Sequence, residues 1–113
     1  MTYIQTSVGF LAKILQALTN SKSAIGKQTL TISGTAQSLT PTSEATSALI
    51  QFESAVTTAT ARYWEDGSVP TSSVGFYQGP GAVIELTSAE NIRNFKVIQG
   101  VAGAIQLNIT YSK

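Results

Sequence analysis

The chain has 113 residues, a formal net charge of +1, and neither Cys nor His. That length accommodates one ordinary domain and is too short for two self-supporting cores. The missing residue types exclude disulfides, thiolate zinc sites, and the side chain most used as general base and metal ligand.

Charged residues make up 12% of the chain, about half the usual share of a soluble domain (about 25%). Ser and Thr take their place as the main polar residues, a surface chemistry common on adhesins and on subunits packed into assemblies. With seven scattered basic residues, the chain offers no field that would collect nucleic acid or an anionic membrane. No apolar run reaches the roughly 20 residues of a membrane span. The N-terminal stretch lacks a basic leader, and Lys13 interrupts its apolar run, so it does not read as a signal peptide.

In chain order, the first expected element is a short amphipathic helix over about residues 7 to 19. Phe10, Leu11, Ile14, Leu15 and Leu18 fall on one helical face, Thr6 or Ser7 can cap it, and Asn20-Ser21 stop it. Such a stripe covers its own domain or serves as an arm that docks on a partner or bundles with copies of itself. Its terminal position before the polar stretch "NSKSAIGKQ" makes residues 1–26 a candidate anchor and oligomerisation segment, distinct from a domain at 27–113.

From there the period changes to two. "KQTLTIS" places Leu30 and Ile32 on one face, and "SGTAQSLTPTSEAT" is rich in turn residues. In "SALIQFES" Ile50 and Phe52 oppose Gln51. In "TTATARYW" Ala59, Ala61 and Tyr63 alternate with Thr58, Thr60, Arg62 and Trp64. "AVIEL" sets Ile84 and Leu86 against Glu85, and "NIRNFKVIQG" reads as a further strand. In the last run Ile105, Leu107, Ile109 and Tyr111 alternate strictly with polar or small residues. About seven short strands between turn signals predict an all-β fold, an antiparallel β-sandwich or jelly-roll-like domain.

The segment "ARYWEDGSVPTSSVGFYQGPGAVIEL" (61–86) holds the candidate chemistry. Asp66-Gly67, Pro70 and Gly79-Pro80-Gly81 are turn formers, so its first reading is a set of shaped loops. A glycosidase reading pairs Glu65 or Asp66 with Glu53 or Glu85. Nothing marks two of these acids as a dyad, and no nucleophile and base can be assembled, so no catalytic residue, metal or cofactor is assigned. The rings allow two readings. Tyr63 faces the core while Trp64 covers a sheet edge or interface; alternatively Trp64 and Tyr77 stack on sugars at a glycan- or receptor-binding surface. The "NIT" sequon at 108–110 lies inside the best strand.

The same array, followed by "IRNFKVIQGVAGAIQLNITYSK", resembles small structural proteins of tailed bacteriophages. The pattern is an Arg-aromatic strand (Arg62-Tyr63-Trp64), a Gly turn (Asp66-Gly67), a Pro-Thr segment reaching Gly75 and a Gly-then-aliphatic strand (Gly81 to Leu86). It closes on a Gly-rich bend and a final strand, Leu107 to Tyr111. It spans about residues 27 to 113. The resemblance implies a non-enzymatic β-sandwich virion protein, a capsid decoration or head-fibre subunit, homo-oligomeric with a trimer favoured. Its expected partners are capsid or other virion proteins and a host-surface glycan. A head-to-tail connector or tail component is the alternative place on the particle.

Overall fold

Period-two alternation of apolar and polar residues becomes strands that each present one face to a shared interior. The computed structural model describes residues 23–100 and 103–113. It contains eight strands: β1 (Ala24–Ile32), β2 (Gln37–Ser38), β3 (Ser47–Glu53), β4 (Ala61–Trp64), β5 (Phe76–Gln78), β6 (Val83–Leu86), β7 (Lys96–Gln99) and β8 (Ile105–Ser112). One short helix, α1 (Ala89–Asn94), joins β6 to β7. The stripe Phe10, Leu11, Ile14, Leu15 and Leu18 lies outside the described residues. Among the described residues no helix is long and apolar enough to cross a membrane.

The strands form two four-stranded sheets, ordered β1-β8-β3-β6 and β2-β7-β4-β5, with every pair antiparallel. Each connection crosses from one sheet to the other except the β4–β5 hairpin. The interior takes Ile32, Ile50, Phe52, Leu86, Ile105, Leu107, Ile109 and Tyr111 from the first sheet. The second contributes Ala61, Tyr63 and Val97, with Ile92 of α1 and Phe95 beside them. Each fully buried large side chain contributes about 1.5–3 kcal/mol. β8 is central to the first sheet: its partners are β1, from Ala24↔Ser112 to Ile32↔Ile105, and β3, from Ser47↔Ser112 to Glu53↔Gln106. At one end Gln28 Oε1 accepts from the Tyr111 hydroxyl (2.5 Å) and from Thr40 N (3.0 Å), tying β1, β8 and the β2–β3 connection together.

The alternation in β1, β3, β6 and β8 is the one read from sequence. Four details differ. From Ala24 the polar stretch "NSKSAIGKQ" is strand, because β1 starts there and pairs with β8 through Lys27 and Gln28. β2 and β5, two and three residues long, are too short to show a period. β4 begins at Ala61, so Thr60 precedes it and is buried, not on a polar face. "NIRNFKVIQG" is helix then strand. Ser88 Oγ accepts from Asn91 N (3.1 Å) as an N-cap, Glu90 favours the first turn, and Ile92 and Phe95 bury at helical spacing. The chain straightens at Phe95 and enters β7.

Candidate functional site at the β4–β5 rim

β5 is the edge strand of the second sheet, paired only with β4 through Ala61↔Gln78, Arg62↔Tyr77 and Tyr63↔Phe76. On its other side β4 meets β7, with Arg62 opposite Ile98 and Trp64 opposite Lys96. Tyr63 and Val97 are buried, so the alternate residues Arg62, Trp64, Tyr77 and Lys96 share the outer face. Trp64 and Tyr77, singled out from sequence as stacking rings, thus stand on one face in adjacent rows. Trp64 is half-buried and Tyr77 more than half exposed.

A chain of rings runs from the core to this rim. Tyr63 lies 6.4 Å from Phe52, 5.3 Å from Phe95 and 5.5 Å from Phe76, centroid to centroid. Phe76, itself more than half exposed, takes the Trp64 ring edge-on at 5.4 Å. Tyr63 is core, as the first reading of the aromatics expected, while Trp64 ends the interior strand β4 beside the exposed ring of Phe76. Burial raises the Tyr63 hydroxyl pKa, against the lowering effect of its hydrogen bond with Gln78, and the negative charge of Glu65 adds to the rise.

Arg62 was read from sequence only as part of a strand pattern. Its Nη1 donates to Gly75 O (3.0 Å), and its guanidinium carbon lies 5.2 Å from the centre of the Tyr77 ring. Its Nε is buried without a hydrogen-bond partner. Gly75 is required here. At φ 136° it lies so close to β4 that a Cβ would sit 3.2 Å from Arg62 Cβ and from the Tyr63 backbone. No sequence signal announces the Arg62–Tyr77 contact, because it depends on hairpin register.

The loop from Glu65 to Gly75 is shaped by local bonds, as its turn residues suggest. Asp66 Oδ1 accepts from Ser68 N (2.9 Å), and this backbone hydrogen bond is the main reason the carboxyl pKa is lowered. Gly67, at φ 90°, donates its N–H to Asn94 O (3.1 Å). Thr71 and Val74 exchange backbone hydrogen bonds of 2.9 and 3.3 Å, and Pro70 is buried. The pinned loop leaves Val69 and Val74 more than half exposed. Four large apolar side chains (Val69, Val74, Phe76 and Tyr77) thus reach solvent within nine residues.

The acids do not converge. Glu65 and Asp66 follow β4 in the second sheet, whereas Glu53 and Glu85 belong to the first. Glu85 pairs in register with Leu49 and Glu53 lies four residues further along β3, roughly 13 Å at strand rise and beyond the spacing of a glycosidase dyad. Among the described residues no three His, Cys, Asp or Glu side chains group to hold a metal. Asn108 of the sequon sits on the outer face of the first sheet, donating to Gln51 Oε1 (3.3 Å) and Glu53 Oε2 (3.2 Å) and accepting from Gln106 Nε2 (2.9 Å). Compared with family models, curated proteins and solved structures, the chain finds no match.

Proposed function

We propose that this chain is a non-enzymatic structural protein of a tailed-phage particle, a capsid decoration or head-fibre subunit held through its N-terminal segment. The observation that carries the reading is the strand order. β1-β8-β3-β6 facing β2-β7-β4-β5, with all connections but one crossing between sheets, is the double Greek key of an eight-stranded jelly roll. That architecture recurs in viral capsid and lectin domains. The argument is by analogy of fold, and it agrees with the turn-and-strand resemblance of residues 27–113. The low charge and the exposed apolar rim add the chemistry of a surface that meets other molecules. Self-association as a trimer multiplies weak contacts on a particle.

Truncation tests this. β1 is paired from Ala24 onward, so the cut belongs after residue 22. Full-length protein should be trimeric by size-exclusion chromatography with light scattering and should join particles grown without it. The truncated chain should remain folded but lose both properties. A full-length monomer whose truncated form joins particles equally well is the outcome that ends the proposal; a six- or twelve-fold ring points instead to a connector.

The rim favours a second reading on the same scaffold, a module that binds a glycan or receptor. By strand register Trp64 and Tyr77 lie on one outer face with Arg62 and Lys96, rings beside cations.

A further inference from the structure

We infer that the outer face of the β2-β7-β4-β5 sheet binds a carboxylated saccharide, a chain carrying uronic or sialic acid. Trp64 and Tyr77 stack on sugar rings while Arg62 and Lys96 hold the carboxylate. The inference rests on the binding-module reading and supplies its ligand class.

The first argument is unbalanced charge. The two ion pairs among the described residues are Arg93–Glu90 and Lys113–Glu44, and neither lies on this face. Arg62 is half-buried, yet its partners are one neutral carbonyl, Gly75 O, and the face of the Tyr77 ring. Its Nε, shielded from solvent, finds no acceptor, so an incoming anion compensates the guanidinium charge without touching that atom. A partly desolvated cation with so little compensation is costly unless an anion completes it. Nearby Asp66 is engaged by Ser68 N. Lys96 stands beside Trp64, a diagonal neighbour of Arg62 across β4 and β7. Such diagonals are spaced about 7–8 Å apart, within reach of two long side chains. Both cations can therefore meet one carboxylate.

The second argument is the rings. Tyr77 is open to solvent, and the Trp64 ring is steadied edge-on by Phe76. Rings set beside a cationic pair suit a ligand that alternates apolar sugar faces with carboxylates. A nucleic acid would require a longer run of cations than two on a chain of net charge +1. An acidic peptide satisfies the cations but not the rings.

Trp64 is the only tryptophan in the chain, so its fluorescence reports on this face directly. The probes are oligogalacturonate and its methyl ester, which keeps the ring and removes the charge, together with sialyllactose and lactose. The full-length protein should respond to one or both acids, with affinity falling as salt rises, and at least tenfold more weakly to the matching neutral sugar. Arg62→Gln should lose about tenfold in affinity for the acid, a larger loss than for the neutral sugar. Lys96→Gln, on a different strand, should lose less, about threefold, and guards against misfolding of the Arg62 variant. Equal binding of acid and neutral sugar overturns the inference while leaving a glycan-binding module standing. No response to any sugar removes both. Tighter binding of oligoglutamate or oligothymidylate than of either acidic sugar also overturns it.

Discussion

The two outer faces of the sandwich differ in how much polar chemistry they carry and in how it is satisfied. On the first sheet amides and a carboxylate bond to one another: Gln106 to Asn108, and Asn108 to Gln51 and Glu53. Around them Lys27, Thr29, Leu49, Val83 and Thr110 line a shallow concavity of about 420 Å³. On the second sheet Arg62 has a donor without an acceptor, and the adjoining edge exposes Phe76 and Tyr77. A face whose groups close on themselves serves the fold. Leu49 and Val83 are exposed on the first face too, so what sets the second face apart is the uncompensated guanidinium of Arg62, a cost that folding alone does not explain.

Tyr63 ties the second face to the core, so its loss should break the comparison most severely. Tyr63→Ala removes a ring packed on Phe52, Phe95 and Phe76. It should cost about 3–5 kcal/mol in denaturant unfolding, in line with other buried aromatics. It should also abolish rim binding, because Phe76 and Trp64 lose their support. A variant with near-native stability would mean that the rim stands apart from the core.

Tyr111 sharpens the comparison from the opposite side of the interior. Its hydroxyl is fully buried on Gln28, and burial pushes its pKa up to about 12. Below pH 10 the tyrosine is protonated in both folded and unfolded chains and adds no pH dependence. From pH 10 to about 12 the unfolded chain loses the proton while the folded one keeps it. Stability should fall by about 1.4 kcal/mol per pH unit, on the order of 2–3 kcal/mol in all. Tyr63, also raised by burial, acts in the same direction. Tyr111→Phe should cost about 1 kcal/mol at neutral pH and flatten the alkaline limb. Denaturant midpoints measured from pH 8 to 12 check both; an unchanged alkaline slope in the variant assigns the effect elsewhere.

The legibility of the sequence follows the same division. β3 and β8, with seven and eight residues, cycle through several periods against a fully buried partner face, so Ile50, Phe52 and Ile105 to Tyr111 were legible as core. α1 was not, because six residues make fewer than two turns and the alternating pair Phe95 and Val97 follows directly. Trp64 and Tyr77 could be named as candidate stacking rings, but Arg62 could not be named with them. Its significance arises from cross-strand register and from what fails to pair with it, and neither is a local property of the chain.

The smallest expected effects separate the two faces most cleanly. Asn108→Ala removes the amide that links Gln106, Gln51 and Glu53 across β3 and β8. It should cost about 1 kcal/mol of stability and leave ligand response at Trp64 unchanged. Tyr77→Ala removes an exposed ring whose one ring contact is the Arg62 cation, so less than about 1 kcal/mol is at stake. Its effect should fall on recognition instead, with weaker saccharide binding at near-native stability. The two variants thus make opposite demands on two measurements, thermal unfolding and fluorescence titration. If Tyr77→Ala destabilises the fold as much as Asn108→Ala and binds no worse, the rim is ordinary sheet edge and the contrast between the faces carries no functional meaning. If the contrast holds, the unsatisfied face is the one that evolution has left open for a partner.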